Sequence, residues 1–132
     1  MDLAGNKKGS ITRVYLPADA NCLLAVAEQA LTETNVANII VSDKQKHLQY
    51  LNLDEARRHV AKGAGIWEWA CNDGHSSELE DPDVVLASAG DIPTKECLGA
   101  IEILREQIPQ LKVRYVNVVK LFSLTPESEH PH

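Results

Sequence analysis

Aromatic side chains are scarce in this 132-residue chain, which holds two Trp, three Tyr and one Phe. Its core must therefore be built from Val, Ile, Leu and Ala. The 44% hydrophobic content supplies them and argues against wholesale disorder. Positive charge is also in deficit: 13 Lys and Arg face 19 Asp and Glu, a formal charge of −6. A nucleic-acid surface needs clustered cations to replace phosphate counterions, so that class is excluded. One local basic site for a phosphorylated metabolite remains compatible with the balance. Cysteines number only three, Cys22, Cys71 and Cys97, with no CxxC pair. That pattern reads as free thiols in a reduced, intracellular setting. No apolar run approaches the roughly 20 residues of a membrane helix. The segment from Met1 to Lys8 has no apolar stretch behind its lysines and is not a secretory leader. A cytoplasmic location is the expectation.

Self-sufficient catalytic motifs are missing too. There is no GxSxG, GxGxxG, Walker A lysine loop or HExxH. The histidines, His47, His59, His75, His130 and His132, lack metal-ligand spacing apart from the terminal His-Pro-His, which reads as a tail. The carboxylates are scattered, so no acid–base pair can be argued from them.

What is present is an α/β rhythm. Ile11 to Leu16 predicts a short strand ended by Pro17. Asp19 can accept the orphan amides of a first helical turn and cap a helix reaching Thr32, with Leu23, Leu24, Ala27, Ala30 and Leu31 as its buried stripe. Val36 to Val41 is apolar on both faces, which suits a strand covered on both sides. Asn52 and Glu55 have capping-box spacing for a helix from Leu53 to Lys62, ended by Gly63 and Gly65. Ile66 to Ala70 alternates apolar and acidic residues and predicts an extended segment with both tryptophans on one side. Asn72 to Glu78 is turn-rich and acidic, hence a surface loop. Asp83 to Ala89 predicts a strand, then a helix capped by Asp91 with Pro93 in its first turn. Its buried face is Cys97, Leu98, Ala100, Ile101 and Leu104, and Pro109 stops it. Val113 to Val119 is the last strand, before a polar tail from Thr125.

The fold class is therefore α/β: two partial β-α-β units with parallel strands and helices packed on them, joined by a packed linker. The corresponding divisions are 1–47, 48–81 and 82–132.

Two places could carry chemistry. Ser42-Asp43-Lys44-Gln45 follows a strand, and in open α/β sheets ligands gather at strand carboxyl ends. Lys44 can reach an anion there and Gln45 can add donors; the alternative is a solvated loop. The second place, Ala89 to Thr94, is a strand–glycine–helix junction of the kind that favours anions. Asp91 would occupy that position itself, so this junction reads as structural.

These segments also carry a resemblance. Val14-Tyr15-Leu16-Pro17-Ala18-Asp19-Ala20-Asn21 resembles the opening of the last helix of the pyrimidine-binding domain in the transketolase superfamily. Ile39-Ile40-Val41-Ser42-Asp43-Lys44-Gln45 resembles that domain's final strand, with Lys-Gln where transketolases carry Arg-Gln. Asp83 to Thr94 and Lys112 to Val119 resemble the start of the C-terminal domain. Gly65-Ile66-Trp67-Glu68-Trp69-Ala70, the Ala89-to-Thr94 turn and the closing Pro126-to-His132 segment are similar to phosphoketolases within that superfamily.

The resemblance implies a carbon–carbon lyase of carbohydrate metabolism. It would cleave xylulose 5-phosphate or fructose 6-phosphate with inorganic phosphate, giving acetyl phosphate and an aldose phosphate. Thiamine diphosphate, held through a divalent metal, usually magnesium, would supply the carbanion chemistry. By the same resemblance Lys44 binds the sugar's phosphate and Gln45 supports the turn. Asp43 departs from the small residue the family tends to carry. The family's diphosphate- and metal-binding motif, activating glutamate and catalytic histidines lie upstream of anything here, and complete members are several times longer, with active sites built between two subunits. The expectation is a fragment with no catalytic or metal-binding residue of its own, silent alone, and either homo-oligomeric or paired with the missing upstream polypeptide. The alternative is a non-catalytic α/β module that binds a phosphorylated metabolite or a partner chain.

Overall fold

The computed structural model describes residues 7–74 and 81–124. The His-Pro-His pair, the tail and most of the Asn72-to-Glu78 loop lie outside the described residues. The order is β1 (Thr12–Tyr15), α1 (Ala20–Thr32), β2 (Ala37–Ile40), α2 (Leu53–Lys62), β3 (Ala64–Ile66), a 3₁₀ turn (Glu68–Ala70), β4 (Val84–Ala89), α3 (Asp91–Gln107), β5 (Val113–Val118) and a second 3₁₀ turn (Leu121–Leu124). The chain is mixed α/β with parallel strands and three helices, as its pattern predicts.

β1 and β2 pair in parallel, with Val14 opposite Ile39. β4 and β5 also pair in parallel, with Leu86 opposite Tyr115. The two sheets meet at Leu16, whose amide donates to the Val119 carbonyl at 2.8 Å and whose carbonyl accepts from Gly90 at 3.2 Å. The core runs between them through Tyr15, Val26, Val60, Trp67, Ile101 and Tyr115.

Asp19 caps α1 as expected, its Oδ1 accepting from the Cys22 amide at 2.7 Å. Its Oδ2 also accepts from the Tyr50 and Leu51 amides, both at 2.9 Å, so one carboxylate ties α1 to the loop before α2. The buried stripe differs from expectation. Cys22, Ala25 and Val26 face inward, whereas Leu24 and Leu31 are 55% and 87% exposed. Glu28 is the one charged residue in α1, so apolar side chains surround the helix and periodicity does not choose between faces. β2 likewise is not covered on both sides: Ile40 and Val41 are 37% and 40% exposed.

α2 has the bounds its caps predict. Asn52 Oδ1 accepts from the Glu55 amide and Glu55 Oε2 from the Asn52 amide, both at 2.9 Å. Gly63 closes it in the left-handed region at φ 83°. Gly65 does more than end a helix: with Ala64 and Ile66 it forms β3, antiparallel to β5. The next residues are not an extended strand. The Ala70 amide bonds the Trp67 carbonyl at 2.9 Å, making a 3₁₀ turn that buries Trp67 and Ala70 three residues apart and leaves Trp69 54% exposed. Glu68 is the one polar residue of 66–70, a pattern that suits either period, and after the Trp67 amide bonds the Tyr115 carbonyl at 3.2 Å the chain leaves β5 for the turn.

The helix after β4 is not capped by Asp91. Gly90 holds the cap position at φ 89° with no side-chain bond, and Asp91 is the first helical residue. Its carboxylate turns instead to the Ile92 amide (2.8 Å) and the Asp43 amide (2.7 Å). Ile101 is fully buried in α3 and Leu98 partly, while Ala100 faces out.

Candidate functional site

β2 carries the chain to Ile40, and the turn that follows is organised by Asp43. Its Oδ1 accepts from the Lys44 amide at 2.5 Å and the Gln45 amide at 3.1 Å, while its Oδ2 meets His47 Nε2 at 2.9 Å. The His47 bond, ahead of the two amides, holds the Asp43 carboxyl below the usual range. The unusual carboxylate beside Lys44 therefore closes its own turn. The backbone amides of Lys44 and Gln45 are consumed by it, so any anion bound here must be met by side chains.

Two clefts flank the turn. A small one, about 120 Å³, lies against α1 and is lined by Pro17, Asp19, Leu23, Asp43, Gln45 and Asp91 among others. A larger one, about 610 Å³, lies between the turn and α3 and is lined by Gln45, Lys46, His47, Leu48, Lys95 and Glu96 among others. Gln45 borders both. Lys44 is exposed and borders neither. The structure thus groups Gln45 with Lys46, His47 and Lys95. Sequence reasoning missed Lys95, which stands 50 residues from Gln45 on another element and has no local signal.

At the Ala89-to-Thr94 junction Asp91, at the start of α3, fixes the Asp43 turn. Elsewhere one buried polar cluster is held together by its own hydrogen bonds. His59 Nε2 lies 2.8 Å from Asn117 Oδ1, and Asn117 Nδ2 reaches Thr94 Oγ1 at 2.9 Å and Tyr115 OH at 3.2 Å. Cys22 is fully buried, and burial, then neighbouring Asp19, push its thiol up to about 12. Among the described residues no group of three His, Cys, Asp or Glu side chains converges to hold a metal ion.

Comparison with known proteins matches the whole chain. Residues 44–132 match the XFP C-terminal domain, and residues 1–33 match D-xylulose 5-phosphate/D-fructose 6-phosphate phosphoketolase. Probable phosphoketolase 1 of Nostoc sp. is 56% identical over all 132 residues. The probable phosphoketolases of Synechococcus elongatus and Methylococcus capsulatus are 57% and 55% identical over the same span. In each case the alignment covers 100% of this chain and 16% of the relative. With residues 1–33 and 44–132 matched by its models and relatives more than half identical along the whole length, this chain belongs to the phosphoketolase family.

Proposed function

We propose that the chain serves as one segment of a thiamine-diphosphate-dependent phosphoketolase, acting on xylulose 5-phosphate or fructose 6-phosphate with inorganic phosphate to give acetyl phosphate and an aldose phosphate. The observation that carries this reading is the match of residues 1–33 to a family bearing those substrates in its description, with residues 44–132 matching its C-terminal domain. The chain spans 16% of the relatives' length. In this reading cofactor and magnesium would be held by polypeptide outside this segment, reached through homo-oligomerisation or pairing with an upstream part, and the segment alone would be catalytically silent. Three free thiols accord with a cytoplasmic setting.

Within that assembly the turn after β2 would meet the substrate's phosphoryl group. Lys44, exposed and unencumbered by the inward-facing Asp43, would fold over the cleft mouth as a point charge, and Gln45 would donate from the cleft wall. Asp43 would position both by fixing the turn.

The test is a graft. The 132 residues replace their counterpart in the Nostoc relative, and acetyl phosphate is assayed with either sugar phosphate. Activity in the graft is expected. Lys44→Ala in it should raise the Michaelis constant for the sugar phosphate about tenfold or more, the scale of a lost charged hydrogen bond, with kcat little changed. An unchanged constant removes Lys44 from the site. A folded graft without activity favours a non-catalytic module that binds a phosphorylated metabolite or a partner chain.

A further inference from the structure

A third cleft, a groove of about 480 Å³, opens between the loop before α2, the first 3₁₀ turn and α3. Its floor is aromatic. The rings of Tyr50 and Trp69 lie nearly parallel, with an interplanar angle of 16° and centroids 6.3 Å apart. Trp67, buried beneath, backs Trp69 at 5.4 Å and 29°. Trp69 is thus fixed from below yet 54% exposed, a rigid platform with an open edge.

The α3 wall presents Lys95, Leu98 and Gly99 at helical spacing. Gly99 is the informative one. A Cβ built there would meet no atom within 4 Å, so the protein's own packing does not require glycine. Glycine in a helix interior is unfavourable, and here its visible effect is to leave the groove open. Lys95 lines both this groove and the polar cleft beside Gln45 and Lys46, and pairs with no carboxylate among the described residues. Of the nearby carboxylates, Glu102 lines this groove but is held by Arg105, also on its wall, at 2.6 Å; Asp43 is held by His47 and two amides, while Glu96 borders only the polar cleft.

We propose that this groove binds a small molecule with a flat aromatic ring and an anionic group, the ring laid on Trp69 and Tyr50 and the anion at Lys95. The unpaired cation where apolar groove meets polar cleft selects this occupant over an apolar side chain of a partner protein, which would leave Lys95 unused. The inference goes beyond the phosphoketolase reading and does not depend on it, since its test needs no turnover.

The test is calorimetric titration of the 132-residue chain with naphthyl phosphate, with naphthol and inorganic phosphate as separate arms. Naphthyl phosphate should bind at least about tenfold more tightly than either arm, the scale of a charge-assisted hydrogen bond. Gly99→Leu, which fills the groove while replacing a helix-disfavouring residue, should abolish binding with an unchanged or higher Tm. Lys95→Gln, on an exposed helix position, should weaken naphthyl phosphate about tenfold and leave naphthol unaffected. The proposal is overturned if wild type does not bind, if naphthol binds as tightly, or if both variants bind like wild type. Phosphate alone binding as tightly as naphthyl phosphate would overturn the aromatic half.

Discussion

Asn117 has no exposed surface, and its amide joins three elements. Both Nδ2 hydrogens go to Thr94 and Tyr115, so Oδ1 must accept and the His59 Nε2 must carry a proton. Asn117→Ala would strand these buried partners. It is expected to cost about 2–4 kcal/mol, read as a shifted urea midpoint at constant slope. His59 adds a pH dependence. Burial, above all, lowers its pKa from the usual value, opposed by the Asn117 bond and by Asp19, with Lys62 acting in the same sense as burial. The unfolded chain therefore binds this proton more readily than the folded one. Stability is full above the unfolded pKa of roughly 6.5 and falls as pH drops below it, by up to about 1.4 kcal/mol per pH unit until the folded value is passed. His59→Gln should flatten that slope in denaturation curves measured from pH 7.5 to 5. Neither contact was visible in the sequence, because a 58-residue separation between His59 and Asn117 leaves no local pattern.

Among the elements, α2 was legible to the residue because both of its ends are written locally, in a capping box and a glycine at positive φ. β3 was not, because its identity as a strand depends on β5, some fifty residues away. α1 was legible in extent and illegible in orientation: two apolar faces compete, and only the tertiary partner chooses. The segment 64–70 is nonetheless packed. Trp67→Ala should destabilise by about 3 kcal/mol in the same urea assay, and a neutral result would mean that the 3₁₀ turn is not held by its core contacts. Gly63→Ala should also destabilise, by more than about 1 kcal/mol, because a Cβ there sits at φ 83° and collides with Ser123.

For the molecule as a whole, one stretch of unpartnered surface lies on α1 and β2: Leu24 and Leu31 are exposed on α1, and among the described residues β2 pairs with β1 alone. Such an edge and face call for cover. The isolated 14.5 kDa chain is expected to sediment as an oligomer, and Leu24→Glu with Leu31→Glu as a monomer of unchanged helix content. A monomeric wild type at the same concentration would show that this surface tolerates water. The site was half legible at this scale. The Lys44–Gln45 turn could be placed from the strand before it, while the cleft it faces is completed by Lys95 from the other α/β unit.

The bond from the Asp43 amide to the Asp91 carboxylate joins the two units at the turn itself. A loop tethered in this way inherits the persistence of the helix that grips it. Deuterium should therefore enter the Asp43 amide as slowly as the first turn of α3, and an Asp91→Ala chain should exchange it at the pace of open coil while the rest of α3 stays protected.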